Sequence, residues 1–411
     1  MRMSPIRAGT ALPTSPPDSG DFEKTVRDWR EFDRKTEATE YQGVAIYRNE
    51  FWTSKQRAGH PLHEISYRAC FKPQLPGFFI DRLTQEGEAV FDPFMGRGTT
   101  VLEARLKGRR AMGSDINPLS RILLNPRLTP PSIDAIGARI KAIDFSAPTQ
   151  TPDELLVFYH PDTLRQICAL REYLLGKTSA GTLDNVDEWI RMVAVNRLSG
   201  HSSGFFSVYS LPPNQAVSLK AQARINTRRK QTPPSRNVPT LILKKSRSLL
   251  RHPPPPEMAT SPLLFNAPSH NIPEIENASV SLVVTSPPFL DVVDYQGDNW
   301  LRGWFCGIDM AAIPVANHRS IDDWTDFTRQ TFQELARITR PGGHVAFEVG
   351  EVRGGKVALE ETVLKAVQGL AFRPVLVLIN DQKFTKTANC WGVANNSKGT
   401  NTNRIVLLQK T

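Results

Sequence analysis

The 411-residue sequence predicts an α/β protein: a doubly wound, Rossmann-like sheet with helices on both faces, interrupted by a basic insertion. Three observations predict it. The apolar run Ala89-Val90-Phe91 enters Asp92-Pro93-Phe94-Met95-Gly96-Arg97-Gly98-Thr99-Thr100, a helix follows, and the strand Ala111-Met112-Gly113-Ser114 closes at Asp115; strand, glycine turn, helix, strand, acid is a βαβ unit. The alternation of strands and helices stops near Asn125 and resumes after Met258. Between Arg191 and Pro256 there is no Asp or Glu, while Arg191, Arg197, Lys220, Arg224, Arg228, Arg229, Lys230, Arg236, Lys244, Lys245, Arg247 and Arg251 all fall there.

Met1 to Asp21 is rich in Pro, Ser and Thr and has no apolar centre, so it reads as a disordered tail and not as a secretory signal. Phe22 to Lys55 reads as charged helical and irregular structure. A helix closes at Ile80–Leu83, and Thr99–Leu106 opens the helix after the glycine turn. Within the insertion, Asp153–Leu175 and Asp184–Leu198 read as helices, and Pro253–Pro256 reads as polyproline punctuation. Pro262–Phe265, Ser281–Val284, His344–Val349, Val375–Asn380 and Arg404–Gln409 are strands. Phe327–Ile338 is an amphipathic helix that Arg340-Pro341-Gly342-Gly343 stops and turns. The domain division is therefore 1–45 as tail and lead-in, 46–125 with 259–411 as the sheet domain, and 126–258 as the insertion.

Composition narrows the class. With 40% hydrophobic residues the chain is of ordinary globular type, and no apolar run approaches the roughly 18 residues of a membrane helix. Cys70, Cys168, Cys306 and Cys390 are far apart, which fits free thiols in a reducing cytoplasm and offers no metal motif. The net charge is +10, and the twelve cations of the acid-free stretch exceed it. Such a segment suits a polyanion, nucleic acid above all.

Two segments carry the chemistry. Gly96 and Gly98 have no Cβ, so a ligand can lie on bare backbone at the start of a helix with free amides. Asp115 then sits where an acid accepts from ribose hydroxyls. Pattern alone would admit a dinucleotide oxidoreductase, but the third glycine of that motif is missing. The second segment is Leu282-Val283-Val284-Thr285-Ser286-Pro287-Pro288-Phe289, a strand running into a rigid loop. Its prolines fix φ and remove two donors, leaving carbonyls free to accept. An amine offers two N–H groups, which Ser286 and a loop carbonyl can accept while Phe289 stacks on the attached ring.

Together these segments resemble motifs of the amino-methyltransferases of DNA, the cytosine-N4 and adenine-N6 type. Asp-Pro-Phe-x-Gly-x-Gly-Thr looks like that family's cofactor motif, Phe71-Lys72-Pro73-Gln74-Leu75-Pro76 like the motif preceding it, and Gly113-Ser114-Asp115-Ile116-Asn117-Pro118 like the one after it. Ser286-Pro287-Pro288-Phe289 looks like the catalytic loop. The resemblance implies a Rossmann-like methyltransferase sheet and S-adenosylmethionine as cofactor, held by Lys72, Pro73, Asp92, Phe94, Gly96, Gly98, Thr99, Asp115 and Ile116. Phe265-Asn266-Ala267 replaces the family's usual Gly-Asp-Ala, so Asn266 would take the place of an acid near the adenine. Ser286, Pro287, Pro288 and Phe289 would hold a flipped base of double-stranded DNA. Serine and phenylalanine there favour cytosine N4 over adenine N6.

The motif order implies that the insertion is a target-recognition region. Arg224, Arg228, Arg229, Lys230, Lys244, Lys245 and Arg247 are the expected DNA contacts, with Asn214, Gln215, Gln222 and Asn226 as further readers of bases. His201–Phe206 fits aromatic core packing. A restriction endonuclease in the same system is the partner that such enzymes suggest. The competing readings are an RNA methylase with the same loop and a catalytically silent DNA-binding protein.

Overall fold

The computed structural model describes residues 19–32, 34–53, 59–68, 70–210, 215–253, 255, 261–288, 290, 294–314, 318, 320–352, 357–381 and 402–411. In chain order the strands are β1 (Glu37–Tyr41), β2 (Val44–Asn49), β3 (Ala89–Asp92), β4 (Arg110–Ser114), β5 (Leu263–Phe265), β6 (Val280–Thr285), β7 (Thr339–Val349), β8 (Glu351–Val352), β9 (Val357–Ala358), β10 (Phe372–Asp381) and β11 (Thr402–Lys410). Nine of them form one sheet in the order β1-β2-β10-β11-β7-β6-β3-β4-β5, and β8 with β9 makes a separate ribbon. From β5 to β7 the neighbours are parallel. β11 runs antiparallel between β7 and β10. This is the doubly wound α/β architecture that the sequence predicts.

The period of the strands explains the layers, because successive side chains leave opposite faces. In β6, Leu282 and Val284 enter one core and Val283 the other. The first core holds α2 (Gln74–Leu83) and α3 (Thr99–Leu106). The second holds α11 (Ile321–Ile338) and α12 (Leu359–Ala366). The switch point falls where β3 has β4 on one side and β6 on the other, and ligands of such sheets bind outside the strand ends there.

The segment Phe22–Lys55 departs from the sequence reading. It holds α1 (Ser19–Arg27) and the hairpin β1–β2, and β2 pairs parallel with β10 as part of the sheet. Exposed, charged strands such as Glu37–Tyr41 lack the apolar alternation that announces a strand. Ser19, Gly20 and Asp21, expected in the tail, thus belong to α1, and residues 1–18 lie outside the described residues. Arg340-Pro341-Gly342-Gly343 also differs: α11 stops at Ile338, but these four residues already belong to β7, across a register shift against β6.

Among the described residues of 126–258 the elements are helical: α5 (Ile133–Ala142), α6 (Pro161–Ser179), α7 (Asn185–Val195), α8 (Leu219–Arg229) and α9 (Val238–Leu249). The expected boundary at 125/126 cuts α4 (Pro118–Leu128). Ile167, Trp189 and Ile242 share a core with Leu75 and Val101, so these helices thicken one face of the sheet and do not form a body of their own. Asp187 fastens them. Fully buried, it caps α7 with Asp184 and accepts from Arg139 of α5 and from Lys177 (3.0 Å) and Tyr173 (3.0 Å) of α6. Removing it takes the carboxylate from Lys177 and leaves Arg139 with Asp184 alone. Asp187→Ala is expected to destabilise the chain by about 3 kcal/mol, read as a lower urea midpoint at unchanged slope.

Candidate active site

A cavity of about 320 Å³ opens at the switch point, at the size of small-molecule sites. Four parallel strands, β3 to β6, feed it. Pro93, Phe94 and Gly96 come from the turn after β3, and Asp115, Ile116 and Asn117 from the end of β4. Pro268, Ser269 and His270 follow β5, and Ser286 and Pro288 follow β6. Tyr67, Arg68, Cys70, Tyr295, Pro314, His318 and Phe327 complete the wall.

Asp115 is held by backbone. Its carboxylate accepts from Gly96 N (2.9 Å) and Asn117 N (2.8 Å), which leaves further lone pairs for a ligand hydroxyl. Burial pushes its pKa up, and those amides pull it back. Asp92 faces inward and bridges the two halves of the site: it accepts from Thr285 Oγ1 (2.6 Å) and Phe94 N (3.1 Å), and burial raises its pKa to about 7. Thr100 Oγ1 adds a second tie, donating to Val284 O (3.0 Å).

The two glycines of the turn have different tasks. Gly96 lies on the cavity, where an added Cβ would meet only ordinary contacts. Gly98 is off the cavity at φ +76°, and a Cβ there would fall 2.4 Å from Leu124 Cδ1. Its bareness serves packing of the turn on α4, contrary to the expectation of ligand contact. Thr99 is also inward, accepting from Arg97 Nε. Lys72, Pro73 and Asn266 do not line the cavity either, although Asn266 Nδ2 donates to Ile116 O (3.3 Å) at its margin. Pro287 is buried behind the loop, and Phe289 lies outside the described residues.

Several residues of the site escaped the sequence reading. Arg97, buried inside the glycine turn, donates to Ile65 O (2.9 Å) and Phe71 O (3.0 Å) and so draws Tyr67, Arg68 and Cys70 to the cavity. Phe94, Phe327 and His318 stack in series, with centroids 5.7 and 4.9 Å apart, and His318 Nε2 is buried without a hydrogen-bond partner among the described residues. Glu348 on β7 accepts the Ser286 hydroxyl and the Asn403 amide (2.9 Å). Burial raises its pKa to about 7, against the pull of those two bonds. An acid within the buried run Val345–Val349 was the signal that could have found it.

The expected DNA contacts split. Arg224, Arg228, Arg229 and Lys230 are exposed on α8, Lys244 and Arg247 are exposed on α9, and Lys245 is half-buried. Gln222 and Asn226 are corrected from base readers to scaffold. Gln222 is buried and donates to Tyr209 O (3.1 Å) and Asn226 Oδ1, and Asn226 Nδ2 donates to Val157 O (2.7 Å). Asn214 lies outside the described residues. No helix among the described residues is long and apolar enough to cross a membrane.

The DNA methylase family model of the N6/N4 type matches residues 18–120, which reach from α1 through β4 to Asp115. The type II methyltransferase M.MvaI of Kocuria varians is 32% identical over 111 residues, 26% of this chain and 23% of that protein. The type II methyltransferase M.BsoBI of Geobacillus stearothermophilus is 22% identical over 283 residues, 61% of this chain and 53% of that protein. The chain thus spans about a quarter and about half of the length of these two relatives. Among solved structures, TrmN from Thermus thermophilus aligns at a TM-score of 0.32 and 11% identity, over 84% of this chain and 50% of that one. Residues 18–120, which hold the glycine turn and its acid, are thus similar to the DNA methylases of the N6/N4 type.

Proposed function

We propose that the protein is a site-specific DNA methyltransferase that modifies the exocyclic amine of a flipped base, cytosine N4 in preference to adenine N6. The observation that carries this reading is the meeting of Asp115, Gly96 and Ser286 on one cavity. The donor set suits S-adenosylmethionine: Asp115 offers acceptor lone pairs for ribose hydroxyls, Gly96 leaves backbone bare, and Phe94 and Ile116 supply apolar walls. When bound, that cofactor supplies a methyl group on a sulfonium.

The chain's own residues then orient the amine. Ser286 Oγ accepts one N–H of the amine while its own O–H is given to Glu348. A carbonyl of the proline loop accepts the second N–H; Pro288 O is not free for this, since it accepts from Trp324 Nε1 (2.9 Å). Held by both hydrogens, the nitrogen aims its lone pair into the cavity, and alignment is the main source of rate. The proton lost by the methylated nitrogen leaves toward Ser286 and Glu348. The base reaches this loop only after leaving the duplex, at a cost of a few kcal/mol.

The preference for cytosine rests on Ser286 in place of an Asp or Asn at the head of the loop. Nucleoside mass spectrometry tests both levels. After incubation with mixed-sequence duplex DNA and labelled S-adenosylmethionine, labelled N4-methylcytosine is expected. Labelled N6-methyladenine would overturn the base alone. Label in RNA or nowhere would overturn the function.

A further inference from the structure

The acid-free stretch holds a second feature, distinct from the exposed cations of α8 and α9. Arg197, just after α7, lays its guanidinium over the Phe205 ring at 4.1 Å, and its Nε donates to Asn196 O (2.8 Å). No carboxylate reaches it among the described residues. Lys245 of α9, half-buried and with no hydrogen bond or ion pair among the described residues, lies within electrostatic reach of it. The third cation, Arg251, is neutralised by a two-pronged bond to Glu64 (2.6 and 3.0 Å). Trp189 Nε1 donates to Ser246 Oγ (3.0 Å) and clamps α7 to α9 beside the pair.

The result is two adjacent cations, partly withdrawn from water, with one acid nearby that is already engaged. Burial, followed by repulsion from Arg197, lowers the Lys245 ammonium to about 8. Such an arrangement is costly in the free protein and is relieved by an anion. Its position is also informative. Asn196 Oδ1 accepts from Ser66 N (2.7 Å), and the next residues, Tyr67 and Arg68, line the cavity. The basin therefore stands beside the cavity wall.

We propose that Arg197 and Lys245 form a phosphate-binding basin that grips a phosphodiester of the DNA strand carrying the target base. This rests on the DNA methyltransferase reading and assigns it a fixed backbone contact. A guanidinium already fixed on a ring, with an ammonium beside it, sets the register of the strand; the exposed helices add attraction without position.

The test is binding of a labelled random-sequence duplex by fluorescence anisotropy, across salt and pH, for wild type, Lys245→Gln, Lys245→Arg and the exposed control Arg228→Ala. Phosphate contacts ignore sequence, so no recognition site is needed. Lys245→Gln is expected to weaken binding about tenfold at low salt and to flatten the slope of log K against log salt by about 0.9. Wild-type affinity is expected to fall as pH rises through the Lys245 titration, since the free ammonium is lost there. The other charged groups acting on it are Arg197, Glu64 and Arg251, with His60 and His252 near Arg251 and His201 near Arg197; burial lowers Arg197 only to about 10, and Glu64 holds Arg251 up, so neither guanidinium titrates near pH 8. Lys245→Arg is expected to bind at neutral pH and to lose the alkaline fall, which a merely structural lysine would not explain. Arg228→Ala is expected to retain the alkaline fall. If wild type binds duplex DNA and Lys245→Gln shows the same slope and pH profile, the basin is wrong and the function stands. If wild type prefers hairpin RNA or binds no duplex, both fall.

Discussion

Glu348→Gln is expected to lower kcat by about 10²–10³ while leaving cofactor affinity close to wild type. The ionised carboxylate accepts the Ser286 hydroxyl proton, and this turns a Ser286 lone pair toward the amine. Glutamine keeps the shape but removes the charged acceptor. With its pKa raised to about 7, Glu348 is protonated below neutrality and ionised above it. The wild-type rate should therefore rise from pH 6 to 8 with a midpoint near 7, and this rise should vanish in Glu348→Gln. Stability should move the other way. A carboxyl whose folded pKa lies above its unfolded value contributes stability that is full below the unfolded pKa and lost as pH rises through the folded one. For Glu348 that loss is about 3 kcal/mol by pH 8. The variant is thus expected to melt no lower than wild type at pH 8 while turning over far more slowly. Asp92 shifts in the same direction and also to about 7, and Asp115 is raised as well, so part of the slope of stability with pH is expected to survive in the variant. A variant with wild-type kcat and pH profile would remove Glu348 from the mechanism.

Gly98→Ala should strike stability, and Gly96→Ala function. At Gly98 the added methyl meets fully buried Leu124 at 2.4–2.7 Å and the backbone sits at φ +76°. Left-handed strain of about 1 kcal/mol and overpacking of 1–3 kcal/mol together give about 3 kcal/mol. The clash can be isolated: Leu124→Ala makes room for the methyl, so the double variant is expected to lose less than the sum of the singles. At Gly96 the nearest atom is Cys70 Sγ at 3.5 Å, an ordinary contact, so the stability cost is only the backbone strain of about 1 kcal/mol. Because Gly96 lines the cavity, its methyl is expected to weaken S-adenosylmethionine binding, measured by calorimetry. Equal urea midpoints for the two variants would contradict this division of labour.

These two cases mark where the sequence was legible. The βαβ unit, the resumption of the sheet after the insertion, Asp115 and the Ser286 loop were visible because each is a local pattern: an apolar run, a turn residue and a polar group at fixed spacing. The β1–β2 hairpin was not visible, because β1 is exposed and charged and β2 is held by pairing with β10, more than 300 residues away. Glu348 was not singled out, because its role depends on β7 lying beside β6, which brings it to Ser286. Arg97 passed as a variable position between two glycines, yet its buried guanidinium holds the segment 65–71.

By itself, then, the sequence determined the fold class, the family motifs and the concentration of positive charge, since periodicity, turn chemistry and composition act along the chain. Tertiary structure alone decided which glycine faces a ligand and which faces Leu124. It also decided which polar side chains of the insertion are scaffold, and which of its cations are drawn inward and which stay exposed. Those outcomes depend on neighbours distant in sequence, and burial, the quantity that decides the energy of a charge or a methyl group, exists only once the layers have packed.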